Sequence, residues 1–236
     1  MRRDYHNWYS PRLDRQMELL TFGAGGLPII VFPTERGRFY DYENNGMIQA
    51  VSGPIKEGRI QMFCVDSVDA ESWLNRAVHP HERLARHLAY ESYVLYEVAP
   101  LMKKLSGSAQ IGATGCGLGG YHAFNFAMKH PDLTAASIVM SGFFEMRRFM
   151  NGFYSNDFYF NNPFDYLPNM SDTWFLERYA KMRLILAVGD RDVCLAENVR
   201  MKEILSKRDI PCWLDVWQGQ EMYDWPLWQR MAVKFF

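Results

Sequence analysis

The chain has 236 residues, of which 48% are hydrophobic and 15% aromatic, and its formal net charge is −1. That size and apolar content suit one α/β domain with a large core and exclude a disordered or low-complexity chain. The near-zero charge gives no reason to expect nucleic acid or an anionic membrane as partner, and no apolar run reaches bilayer-spanning length.

In chain order, MRRDYHNWYS lacks the apolar core of a signal peptide. Met17–Phe22 reads as the first strand and Gly23–Gly26 as a turn. Pro28–Phe32 is a continuous apolar run, as a strand buried on both faces requires. Pro33–Asn45 reads as a charged, aromatic loop, Met47–Ser52 as a short helix and Arg59–Val65 as a strand. Apolar residues at helical spacing predict a long helix over Glu82–Leu105, kinked where Pro100 removes a donor. Gln110–Thr114 is a strand and Gly119–Lys129 a helix stopped by Pro131. Ala136–Ser141 and Arg183–Gly189 are further strands. Between them lies an irregular aromatic stretch, Gly142–Ala180, with a short helix near Asp172–Ala180. Ala196–Lys207 is a helix, Cys212–Trp217 the last strand and Trp225–Phe236 the last helix. Strands alternating with helices predict an α/β fold with a mostly parallel sheet covered on both faces. Without a linker or repeat, one domain over residues 1–236 is expected, with a small irregular cap inserted at about 143–180.

Four cysteines (Cys64, Cys116, Cys194 and Cys212) match neither zinc-ligand nor CxxC spacing. They are expected to be reduced, with no metal and no cofactor, in a cytoplasmic setting. His79, His81 and His87 have no companion ligand set and read as exposed or helix-capping. His122 reads as a hydrogen-bonded core histidine.

The most informative segment is IGATGCGLGGYH, residues 111–122. An apolar strand, a Gly-rich turn and a helix form the frame of a nucleophile elbow. In its G-x-S-x-G form the middle residue is a serine held above the sheet. Here the frame is Gly115-Cys116-Gly117-Leu118-Gly119, and the middle residue is glycine. Cys116 sits one residue early, so a buried structural thiol is expected there.

Three stretches resemble the esterase family of α/β-hydrolases that includes S-formylglutathione hydrolases, enterochelin esterases, feruloyl esterases and mycolyltransferases. GCGLGGYHAFNFAMKHPDLTAASIVMSG (115–142) is similar to the family's G-x-S-M-G-G turn, small-residue helix, H-P-D turn and S-G strand end. GDRDVCLAEN (189–198) lies where the family carries its triad aspartate. YDWPLW (223–228) is similar to H-D-W-P-x-W, whose histidine is the base. The resemblance covers most of the chain and implies the α/β-hydrolase fold. It places the nucleophile position on Gly117, the acid position on Asp192 and the base position on Tyr223.

Glycine supplies no nucleophile, and a tyrosine with an ordinary pKa of about 10 is a poor acceptor for a serine proton near neutral pH. Glycine also adopts the strained elbow conformation without steric penalty. The resemblance puts one oxyanion donor on the Leu118 N–H. Pro33 has no N–H, so the second donor falls to Thr34 or Glu35. Asp192 is read as a remnant, a loop cap or a working carboxylate, with a Tyr223–Asp192 hydrogen bond expected. Glu35, Arg36 and Arg38 form a charged loop at the sheet edge where ligands bind. It is either a solvated loop or a site for an anionic or peptide-like ligand. The favoured expectation is a non-hydrolytic homologue whose old cleft binds a small-molecule ligand or protein partner. The alternative is a hydrolase with a non-standard nucleophile or a water activated by Asp192 or Glu35. A homo-oligomer built on an exposed aromatic face is a third expectation.

Overall fold

The computed structural model describes residues 1–219 and 223–236. Among the described residues, eight strands form one sheet in the order β1-β2-β4-β3-β5-β6-β7-β8. They are β1 (Arg3–Ser10), β2 (Arg15–Phe22), β3 (Leu27–Phe32), β4 (Ile60–Val65), β5 (Ile111–Cys116), β6 (Thr134–Met140), β7 (Arg183–Gly189) and β8 (Trp213–Trp217). β1 and β2 run antiparallel and the rest of the sheet is parallel. β1 precedes the first strand expected from the sequence, Met17–Phe22. β1 alternates exposed with half-buried residues and has no apolar run to announce it.

The main helices are α1 (Pro80–Tyr93), α2 (Ala99–Ser106), α3 (Leu118–Lys129), α4 (Leu195–Ser206) and α5 (Trp225–Phe235). A π-helical turn over Val94–Val98 joins α1 to α2. The expected kink therefore takes the form of a wide turn just before Pro100, which has no N–H to give. The loop expected over 33–45 contains a helical turn at Asp41–Asn44. The helix after it is split into Met47–Ala50 and Ser52–Lys56.

Period-two alternation sorts the strand residues between two layers. Ile29, Val31, Ile138 and Ile185 pack with Leu227, Met231 and Phe235 of α5. Ile30, Phe32 and Phe63 pack on the other face with Tyr90, Met102, Ala123 and Phe126 of α1, α2 and α3. Leu184 and Leu186 continue that face to Met201 and Leu205 of α4.

Between β6 and β7 the chain makes short helical turns, the longest being Thr173–Tyr179. Its start is fastened to α4. Glu197 accepts from the Phe144 and Glu145 amides at 2.6 and 2.9 Å, and buried Asn198 donates to the Gly142 carbonyl at 2.9 Å. None of the described helices is long and apolar enough to cross a membrane.

Candidate functional site

The site is built on the β5–α3 turn. β5 lies between β3 and β6, so Phe32 pairs with Gly115 and Val139 with Gly115. Gly117 sits at φ 58°, ψ −121°. The positive φ suits glycine, and the turn aims residue 117 out over the sheet edge. A Cβ on Gly119 would collide with the carbonyl oxygens of Phe32 and Pro33. This close approach lets the β3 loop lie against the start of α3. Leu118 is the first residue of α3, so its N–H has no partner within the helix and points along the positive end of the helix dipole.

The space above Gly117 is occupied. A Cβ built on Gly117 would coincide with the Tyr223 hydroxyl and lie 2.8 Å from both Glu35 carboxylate oxygens. Tyr223 donates to Glu35 Oε1 at 2.6 Å, across 188 positions of sequence. Its ring packs edge-on against Trp228, with centroids 5.0 Å apart, and tilts against Phe143 at 5.9 Å. Burial, reinforced by the adjacent Glu35 carboxylate, raises the Tyr223 pKa far above its ordinary value. The phenol is therefore a donor and not a base. Glu35 also accepts from the Thr34 hydroxyl.

Asp192 is 5% exposed and does not meet Tyr223, which corrects the expected hydrogen bond. Its Oδ2 accepts from the Ser141 hydroxyl at 2.5 Å and its Oδ1 from the Cys194 amide at 2.8 Å. Ser141 Oγ in turn accepts from the Trp228 indole N–H at 3.0 Å. Ser141 directly follows β6 with φ at 52°, a left-handed conformation uncommon for serine. A chain of hydrogen bonds thus ties the β7–α4 loop to the end of β6 and to α5. Nothing in the sequence links Asp192 to the S-G strand end, because the contact spans 51 positions.

The charged loop divides. Arg38 is committed to Asp66 at 2.7 Å and Glu18 at 2.9 Å, whereas Arg36 is exposed with φ at 55°. Cys116 is buried beneath the turn, and burial pushes its thiol well above the ordinary range. On the flank of α3, His122 pairs with Asp69 at 2.8 Å, both fully buried. His79 caps α1 by accepting from the His81 amide at 3.2 Å. His87 was expected exposed or capping, but it is 3% exposed. It lies 3.0 Å from Asn161 Oδ1, and burial, with His122 beside it, lowers its pKa to about 3. Among the described residues, no group of three or more His, Cys, Asp or Glu side chains could hold a metal ion.

A mostly parallel sheet with a strand–turn–helix elbow at its centre defines the class as an α/β-hydrolase fold. Residues 37–219 match the model of the family described as "Putative esterase", and the chain belongs to that family. The matched region includes Gly117 and Asp192 but ends before Tyr223 and begins after Glu35. Solved structures of similar fold include an S-formylglutathione hydrolase from Agrobacterium tumefaciens (TM-score 0.76, 12% identity, covering 98% of this chain and 92% of that one). A ferulic acid esterase (TM-score 0.74, 15% identity, 99% and 96%) is also similar. So is the S-formylglutathione hydrolase of Staphylococcus aureus (TM-score 0.71, 15% identity, 99% and 94%). No curated protein matches the chain in sequence.

Proposed function

We propose that this chain is an esterase-family homologue that does not hydrolyse esters through a serine triad, and that its cleft binds a small ligand or a protein partner. The observation that carries this reading is the Tyr223 hydroxyl standing where the side chain of the nucleophile position would begin. Acyl transfer needs a nucleophile, a base near neutral pKa and an acid that orients the base. Gly117 has no side chain, Tyr223 holds its proton, and Asp192 is engaged with Ser141 and Cys194. In this reading residues 1–236 are one domain, and the segment at 143–180 is the cap over its cleft.

The ligand class follows from what fills the site. The protein's own Glu35 carboxylate lies above the N-terminus of α3, a position that favours negative charge. A carboxylate or carbonyl-bearing ligand would take the place of Glu35 and meet the Leu118 N–H. Thr34 would turn from Glu35 to that ligand.

The same carboxylate favours a second reading, in which Glu35 activates a water once Tyr223 swings away. The two readings differ in one assay. On the first, purified protein hydrolyses p-nitrophenyl acetate no faster than a surface-lysine variant used as control. Turnover that is lost in Glu35→Gln at unchanged thermal stability would replace the first reading with the second. A Gly117→Ser/Tyr223→His variant that gains esterase turnover would show that the rest of the oxyanion site is still usable.

A further inference from the structure

Between α1 and α3, away from Gly117, lies a narrow crevice with about 10 Å³ of room for the centre of a water molecule. That is space for one such molecule. Phe32, Val94 and Phe126 form its apolar wall, and five polar side chains complete the lining. The hydrogen bonds of those five can be followed one by one. Tyr90 donates to the Asp66 carbonyl at 2.8 Å. Glu91 holds Lys129 and His130. Asn125 donates to Asn161 Oδ1 at 3.1 Å and accepts from the Tyr166 hydroxyl at 3.0 Å. Only the two histidines, His87 and His122, are left with a nitrogen unmatched.

Their partners fix which nitrogen that is. His122 directs Nε2 to buried Asp69 at 2.8 Å. A carboxylate only accepts, so Nε2 carries the proton and the neutral ring keeps a lone pair on Nδ1. His87 directs Nε2 to Asn161 Oδ1 at 3.0 Å. That oxygen also accepts from Asn125 and Lys129, each at 3.1 Å, while Asn161 Nδ2 donates to the Asp157 carbonyl at 2.8 Å. His87 Nε2 is therefore a donor as well, and burial, with His122 beside it, keeps this ring neutral. His87 Nδ1 is buried without a partner, and among the described residues no hydrogen bond reaches His122 Nδ1. The two rings lie 5.5 Å apart between centroids, inclined by 35°. Two hydrogen bonds meeting at one tetrahedral oxygen span about 4.7 Å between nitrogens, which suits rings at this separation.

We propose that the crevice is a binding site for one water molecule, which donates one hydrogen bond to His87 Nδ1 and one to His122 Nδ1. Water offers two diverging donors, fits the volume and brings no charge into an apolar-walled site. It also serves either state of His122, donating to the neutral ring and accepting from Nδ1–H of the protonated one. A metal ion would need further ligands, and among the described residues no set of three or more such side chains supplies them. An ammonium ion would need a counter-charge, and the nearest carboxylate, Glu91, is already shared by Lys129 and His130. The site stands directly behind the loop over the elbow. The Phe32 ring stacks on His122 with centroids 5.7 Å apart and 25° between planes, two residues before Thr34. The proposal is independent of what the cleft does.

The test uses the wild-type chain, so no variant has to fold. High-resolution diffraction from crystals grown at about pH 8, above the ordinary histidine range, without ammonium or added metal, should show one fully occupied water. Its oxygen is expected at about 2.7–3.2 Å from both Nδ1 atoms. In solution at the same pH, long-range proton–nitrogen NMR spectra should place the N–H of both rings on Nε2. Water-to-protein cross-relaxation should reach the Val94 methyl protons with the sign of a long-lived bound water. A crevice that holds no water, a water bonded to one nitrogen alone, a peak with the anomalous signal of a metal, or either ring carrying its only N–H on Nδ1 would overturn the proposal.

Discussion

Two polar assemblies touch the same helix and differ in nearly every physical respect. On the flank of α3, His122–Asp69 and His87–Asn161 are sealed among Trp73, Tyr90, Tyr121 and Phe126. At the N-terminus of α3, Tyr223 and Glu35 meet at the rim, each only partly buried. In the sealed assembly any change of charge or loss of a partner is uncompensated, so its residues are fixed by folding. At the rim, water substitutes for a lost partner and side chains change at little cost in stability. The comparison suggests how an elbow keeps its backbone while the groups above it change. The turn is held by close contacts among Gly115, Gly119 and the Phe32–Pro33 carbonyls.

The largest effect expected from this contrast is at His122. Replacing it with alanine leaves Asp69 buried with Oδ1 unpartnered, and Oδ2 already has no partner in the described structure. Breaking a buried pair in this way typically destabilises by about 3–5 kcal/mol. Chemical denaturation of His122→Ala should fall in that range. A loss below 1 kcal/mol would show that the sealed assembly is no more demanding than the rim.

The acid limb of stability gives the next effect. His87 is held neutral, with a pKa lowered to about 3 by burial and by His122, against 6.5 in the unfolded chain. Below pH 6.5 the unfolded chain binds a proton that the folded one does not. Stability from this group is therefore complete above about pH 6.5 and declines as pH falls toward 3, by on the order of 3 kcal/mol at pH 4. Glu91 and Lys129 are the charged groups that also face it. Melting curves of wild type and His87→Gln should converge as pH drops from 7 to 4. Parallel curves would mean that His87 is not the residue that resists protonation.

The same contrast explains what could be read from the chain. β3 is a continuous apolar run, β5, β6 and β7 are small-residue and apolar segments between helices, and the elbow glycines mark a turn that tight packing demands, so both were legible. β1 was not, because an edge strand needs neither an apolar run nor full alternation. The pairing of Tyr223 with Glu35 spans 188 positions, and neither residue carries a local signal of the other. Asp192 was placed at the acid position by the resemblance, with remnant, loop cap and working carboxylate all open, and its expected partner was Tyr223. Ser141 reaches it from the end of β6, and only the register of the β6–β7 pair brings them together.

The smallest effect is at the rim, and it tests whether the Tyr223 hydroxyl matters to folding at all. Tyr223→Phe keeps the ring between Trp228 and Phe143 and removes one hydrogen bond to a carboxylate that water can still reach. A loss of about 0.5–1.5 kcal/mol is expected, well below that of His122→Ala. The sign of its pH dependence is opposite to that of His87. The folded-state pKa of Tyr223 is raised above that of the unfolded chain, by burial first and by Glu35 second. The folded chain therefore holds a proton that the unfolded chain releases above pH ~10. This contribution is complete below that pH and is lost as pH rises beyond it. Wild type and Tyr223→Phe should keep a constant difference from pH 6 to 9, and the variant should decline less steeply above pH 10. If Tyr223→Phe instead destabilised the chain as strongly as His122→Ala, the rim would be as tightly constrained as the sealed flank. The hydroxyl above Gly117 would then be a structural keystone, and displacing it to admit a ligand would be too costly for the binding role proposed here.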